Sequence, residues 1–182
     1  MAKTSLAADG TQLHDEWYLD YQLSDDETKA EFILQLKRNS WVQFYLGGTA
    51  ETDVDTIESY VDDYGASVYD GYLDDSLNMR LDSDWAQASK TDWSWIGTGI
   101  ELGVVTISRD LDSSADSTDF VIPADDSEWT LGWALCTTDW DSSTAADYTG
   151  VLTMTLPAGD GASYLAGLTV SGLAVLALML SH

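Results

Sequence analysis

Alternation of apolar and polar residues in short runs is the feature that most constrains this chain. In "KAEFILQLKR", Ala30, Phe32, Leu34 and Leu36 fall on one side, with Glu31, Gln35 and Lys37 on the other. "WVQFYLGG" sets Val42, Phe44 and Leu46 against Trp41, Gln43 and Tyr45, and "VLTMTL" aligns Leu152, Met154 and Leu156. "GVVTISR" and "EWTLGWAL" read the same way. A period of two is the signature of strands with one face in a core. Gly, Asp, Asn and Ser clusters separate the runs, and the two prolines, Pro123 and Pro157, stand near strand ends. No amphipathic helix of ordinary length interrupts them. The pattern predicts an all-β fold, an antiparallel sandwich or barrel.

The 182 residues suffice for one domain of about 150 residues and a short appendage. With 32 acidic against 7 basic residues the formal charge is −25. Such a charge opposes binding to nucleic acid or anionic membrane surfaces and suits cations or a basic partner, although solubility alone accounts for it. Cys136 is the only cysteine, so no internal disulfide forms. The two histidines, His14 and His182, leave little room for His-based catalysis or metal binding. Nucleophile-elbow, phosphate-loop and dinucleotide motifs are absent, and no enzymatic activity is expected.

The ends differ from the middle. Residues 1–14 read as an extension without the apolar stretch of a secretory signal. Residues 158–182 read as a small-residue linker and a hydrophobic segment. Its uncharged run, Tyr164 to Leu180, would reach about 25 Å as a helix, slightly short of a bilayer core. Membrane attachment is the expectation, as a single helix or as a GPI-attachment signal after "PAGDGAS", with a core helix as the competing reading. Retained with no signal ahead of it, such a span would leave the domain cytosolic, as in tail-anchored proteins.

"DTIESYVDDYGASVYDGYLDD", residues 55–75, predicts a hairpin with strands near 55–61 and 66–73 and a turn at 62–65. Ile57, Ser59 and Val61 are expected on one face, Glu58 and Tyr60 on the other. Its acids fail the EF-hand spacing, because Ile57 stands where a third oxygen ligand belongs. "DWAQASKTDWSWIG" brings together Trp85, Trp93 and Trp95, the last two on one strand face. Indole faces beside carboxylates are how carbohydrates are held, so these three are the candidate sugar-binding residues, with core packing as the alternative.

The order of segments resembles the DOMON family, named for the N-terminal domain of dopamine β-monooxygenase. The pieces are "EWYLDYQL", "KAEFILQLKR", "SWVQFYLGG", "VDTIESYVDDYGASVYDGY", "VVTISRDLDSSADSTDFVI", "WTLGWAL" and "DYTGVLTMTL", over residues 15–157. The resemblance implies a β-sandwich of immunoglobulin-like layers that binds haem or sugars or docks partners, and it favours the cell surface. In "SRDLDSSADSTDF" Arg109 is expected to pair with one of Asp112, Asp116 and Asp119 and pin the turn. A Ca2+ site is implied at Asp55 and Asp84, helped by carbonyls near Thr56 and Gly71. Haem-binding members look to use a Met after the "gWv-x-x-G" element and a His before the last strand. Here "TAETDVD" has no Met, and Tyr148 stands where the His would be. That argues against haem, with Tyr148 as the one residual candidate ligand. The combined expectation is a membrane-anchored, non-catalytic recognition or docking module. A haem-binding electron-transfer domain and an accessory subunit of a membrane complex are the alternatives.

Overall fold

The computed structural model describes residues 11–155 apart from 16, 25, 83–87, 97–100, 113–118 and 124–126. Two antiparallel sheets face each other. One contains β1 (Thr11–His14), β2 (Trp17–Leu23), β3 (Lys29–Lys37), β8 (Ala88–Trp95) and β9 (Leu102–Asp110), in the order β1-β2-β3-β9-β8. The other contains β4 (Ser40–Leu46), β5 (Asp55–Val61), β6 (Ala66–Leu73), β7 (Met79–Leu81), β10 (Trp129–Cys136) and β11 (Tyr148–Met154), in the order β11-β10-β4-β5-β6-β7. The predicted all-β sandwich is the observed architecture. The predicted C-terminal hydrophobic helix lies outside the described residues. Among the described residues no helix is long and apolar enough to cross a membrane.

The alternating runs supply the core. Phe32, Leu34, Leu36, Val105 and Ile107 from one sheet meet Val42, Phe44, Ile57, Leu131 and Leu135 from the other, all buried. Each such side chain contributes about 1.5–3 kcal/mol by leaving water. The hairpin has the expected bounds, and its polar turn is built by Asp62. The Asp62 carboxylate accepts from the backbone N–H groups of Tyr64 (2.7 Å) and Gly65 (3.0 Å), and Gly65 takes the φ of 137° that the turn requires.

One departure from simple alternation positions the candidate site. All seven residues of β4 are buried, not only Val42, Phe44 and Leu46. The outer face of the six-stranded sheet carries a second cluster: Trp41, Tyr45, Val54, Leu73, Ala134 and Cys136, with Tyr60, Met79 and Ala146 against it. Small residues make room for it. A Cβ on Gly132 would lie 2.5 Å from the Gly48 carbonyl oxygen, and one on Gly71 would lie 1.9 Å from that of Arg80. Both faces of this sheet therefore carry buried apolar side chains.

Candidate functional site

Arg109, near the end of β9, is fully buried and crosses the sandwich. Its Nη1 donates to both carboxylate oxygens of Asp70 on β6, at 2.9 and 3.0 Å, and its Nη2 donates to Asp55 on β5 at 2.6 Å. Asp119, on the segment after β9, lies 3.5 Å from Nη2. The same Asp55 oxygen accepts the Phe120 backbone N–H at 2.7 Å, and Asp70 accepts that of Ala88 on β8 at 2.7 Å. One guanidinium therefore ties two sheets and a loop. Burial pushes the Asp55 carboxyl up to about 7 despite Arg109, with Asp70 and Asp119 adding repulsion.

The expected pairing of Arg109 with an acid of "DLDSSADSTD" thus extends to Asp119 and to two acids on the other sheet. Asp112 is exposed, and Asp116 lies outside the described residues. Asp70 is the partner that the sequence reading did not single out. A carboxylate flanked by Tyr and Gly in a predicted strand was its only signal. Asp55, expected as a Ca2+ ligand, is a partner of Arg109 and of the Phe120 amide. Asp84 lies outside the described residues. Among the described residues no three His, Cys, Asp or Glu side chains group to hold a metal ion.

The outer face of the six-stranded sheet holds a different chemistry. In adjacent strands Gln43 stands opposite Glu58, and Glu58 opposite Tyr69. The Gln43 Nε2 donates to Glu58 at 2.6 Å, and the Tyr45 hydroxyl donates to the Gln43 Oε1 at 2.9 Å. Burial holds the Glu58 carboxyl above its ordinary value, opposed by hydrogen bonds from Gln43 and Ser142. Beside this pair three rings are joined. Tyr60 stacks on Tyr69 at 5.6 Å and meets Trp140 at 5.6 Å, and the two phenol oxygens are 3.0 Å apart. Trp140 is 47% exposed, so the ring cluster opens to solvent there. Trp41, opposite Tyr60, has a buried indole N–H without an acceptor among the described residues. Trp41, Gln43, Tyr45, Glu58, Tyr60 and Tyr69 share a face because each strand contributes alternate positions, and Trp140 joins them from the β10–β11 connection, so no single stretch of sequence displays the group.

The tryptophans singled out from sequence fall elsewhere. Trp93 and Trp95 meet edge to face at 5.0 Å and pack partly buried against the main core. Trp93 lies over Gly103, where an added Cβ would come within 2.0 Å of the indole. Trp85 lies outside the described residues. Tyr148 opens β11, is 41% exposed and stacks on His14 with ring centroids 3.7 Å apart. Sequence alone places His14 in an N-terminal extension; β1 brings it to the opposite sheet's edge strand.

No family model and no curated protein matches the chain. Among solved structures it is similar to the cytochrome domain of Myriococcum thermophilum cellobiose dehydrogenase. The TM-score is 0.59 at 13% identity, over 78% of this chain and 76% of that one. It is also similar to the cytochrome b domain of pyranose dehydrogenase from Coprinopsis cinerea. There the TM-score is 0.57 at 12% identity, over 76% of this chain and 75% of that one. The likeness supports the DOMON-like sandwich that the resemblance implies. Both neighbours are described as cytochrome domains; at this identity the likeness is one of fold.

The residues present do not fit a haem ligand set at the positions the resemblance implies. The segment after β4, Gly47 to Val54, carries no Met, and Tyr148 is engaged face to face with His14. Met154 is buried in the main core, and Met79 packs in the outer cluster.

Proposed function

We propose that this domain is a non-catalytic recognition module whose binding face is the outer face of the six-stranded sheet. The observation that carries this reading is the Tyr60–Tyr69–Trp140 ring cluster, beside the buried Gln43–Glu58 pair and the Trp41 indole N–H. Aromatic rings offer stacking surface to C–H faces. The phenols of Tyr60 and Tyr69 offer donors and acceptors to hydroxyls. A neutral, polyhydroxylated ligand, a carbohydrate, suits that combination, and it avoids the repulsion that a chain of charge −25 imposes on anions. The hydrophobic run of residues 164–180 would hold the module at a membrane; that part of the reading rests on sequence alone.

The test is saccharide binding followed by tryptophan fluorescence and calorimetry across a panel of oligosaccharides. Trp140→Ala should abolish binding while leaving the melting temperature within a few degrees. Equal binding by the variant, or no saccharide bound by the wild type, would remove the assignment.

A haem-binding electron-transfer domain is the second reading, favoured by the cytochrome domains that share the fold. A Soret band in chain purified from its native membranes would select it.

A further inference from the structure

Seven basic side chains answer 32 acidic ones, and the acids are chiefly aspartates, 25 Asp against 7 Glu. Among the described residues the bases are all engaged. Lys29 pairs with Asp110, Arg38 with Asp63 and Arg80 with Asp74, while Arg109 lies inside the sandwich. Lys90 donates to the Ala66 carbonyl, and Lys37 has a partner too. Most of the acids therefore have no cation of the chain beside them. Acids also stand in pairs at the strand connections, as in Asp26–Glu27, Asp62–Asp63 and Asp74–Asp75. Arg38 and Arg80 each meet one member of a pair and leave the other. Consecutive Cα atoms are about 3.8 Å apart, so such carboxylates stand within roughly 10 Å of each other. Protonation does not relieve them near neutral pH. Hydrogen bonds from Ser24 and Thr28 hold the Asp26 carboxyl down to about 2, and the backbone amides of Asn78 and Asp141 hold Asp74 and Asp139 below the ordinary carboxylate value. The same bonds shape the turns, so ionised acids are part of the fold.

We infer that this domain is built to fold in concentrated salt: monovalent cations at molar concentration stabilise the folded state, and repulsion among its own carboxylates loosens it in dilute buffer. The range of screening sets the concentration. The Debye length is about 10 Å in 0.1 M salt, as long as the spacing within an acid pair, and about 3 Å in 1 M salt. Dilute buffer leaves neighbouring acids repelling one another, and molar salt does not. Unfolding spreads the charges apart, so the repulsion falls on the compact state. Solubility, the reading that sequence alone suggests for this charge, needs a magnitude of only about 2–8 in a small domain, and −25 is several times that. No one ion is selected, because among the described residues no three His, Cys, Asp or Glu side chains group to hold a metal. The cations act instead as a diffuse atmosphere around the whole surface.

Thermal melts followed by circular dichroism at constant pH make the test. The full-length chain in nonionic detergent should melt about 10 °C or more higher in 2 M KCl than in 0.1 M KCl. NaCl should serve as well as KCl. A chain already unfolded in 0.1 M KCl that folds as salt is added would support the inference equally. A triple variant, Glu27→Gln with Asp75→Asn and Glu128→Gln, removes exposed charge from three different strand connections and leaves the turn-building acids in place. It should melt a few degrees above the wild type in 0.1 M KCl and no higher than the wild type in 2 M. A wild-type melting temperature that is flat across this range would overturn the inference. So would a variant that gains nothing in 0.1 M KCl, or gains equally in both salts, which would place the effect in local structure and not in repulsion. A response to only one of the two cations would point to a specific ion site and overturn it as well.

Discussion

Arg109 on β9 donates through one nitrogen to both carboxylate oxygens of Asp70 on β6, at 2.9 and 3.0 Å, and so joins two sheets that share no backbone hydrogen bond among the described residues. A charge this deep is tolerated only because every neighbour is arranged around it: Asp55 at 2.6 Å and Asp119 at 3.5 Å complete the set.

Replacing Arg109 with Met should therefore cost more than the loss of one ion pair. It would leave Asp55, Asp70 and Asp119 buried beside one another without their cation. A loss of about 3–5 kcal/mol is expected, measured by urea unfolding at neutral pH. The cost should shrink at pH 5, where Asp55 holds its proton in either variant.

The raised Asp55 pKa gives stability a definite pH slope. Unfolded, the carboxyl ionises near 3.8; folded, it keeps its proton until about 7. The stabilisation is whole below the unfolded value and is lost as pH rises between the two, at up to about 1.4 kcal/mol per pH unit. Unfolding free energy should fall from pH 5 to pH 7.5, and Asp55→Asn should flatten that slope. A wild type as stable at pH 7.5 as at pH 5 would contradict it.

Glu58 acts in the same direction, because burial raises its carboxyl too. Glu58→Gln keeps an acceptor for Gln43 and removes the charge. It should be neutral or stabilising above neutral pH, where the wild-type carboxylate is hardest to keep buried. Thermal melts at pH 8 would check this.

Trp93 and Gly103 are coupled by shape. Gly103→Ala drives a methyl into the indole, which a Cβ would approach to 2.0 Å. Trp93→Ala leaves a void of its own, at a cost of about 3 kcal/mol. With the indole gone the added methyl has room, so the double variant should lose less than the two single losses together. Additive losses would mean that the ring and the glycine do not constrain each other.

Much of the fold was legible in the chain. The period of two located the strands that build the core, and "VDDYG" fixed the hairpin bounds, because an Asx-type turn and a glycine with positive φ are local chemistry. The inner face was readable for the same reason: Val42, Phe44 and Leu46 sit at alternate positions of one strand. Arg109 could be marked as a structural cation next to a run of acids. Its distribution among Asp55, Asp70 and Asp119 could not, since those residues are up to 64 positions apart in sequence.

By itself the sequence determined which residues become strands, which faces are apolar and where the turns fall, because backbone stereochemistry and side-chain hydrophobicity act within a few residues. The tertiary structure decided the rest. It showed that Asp55 answers to an arginine of the other sheet, and that Gln43 and Glu58 are buried partners on an outer face rather than solvated ones. It gathered Tyr60, Tyr69 and Trp140 and brought His14 onto Tyr148. Those pairings depend on strand order and sheet stacking, which the long-range packing of the whole core selects and no local pattern encodes.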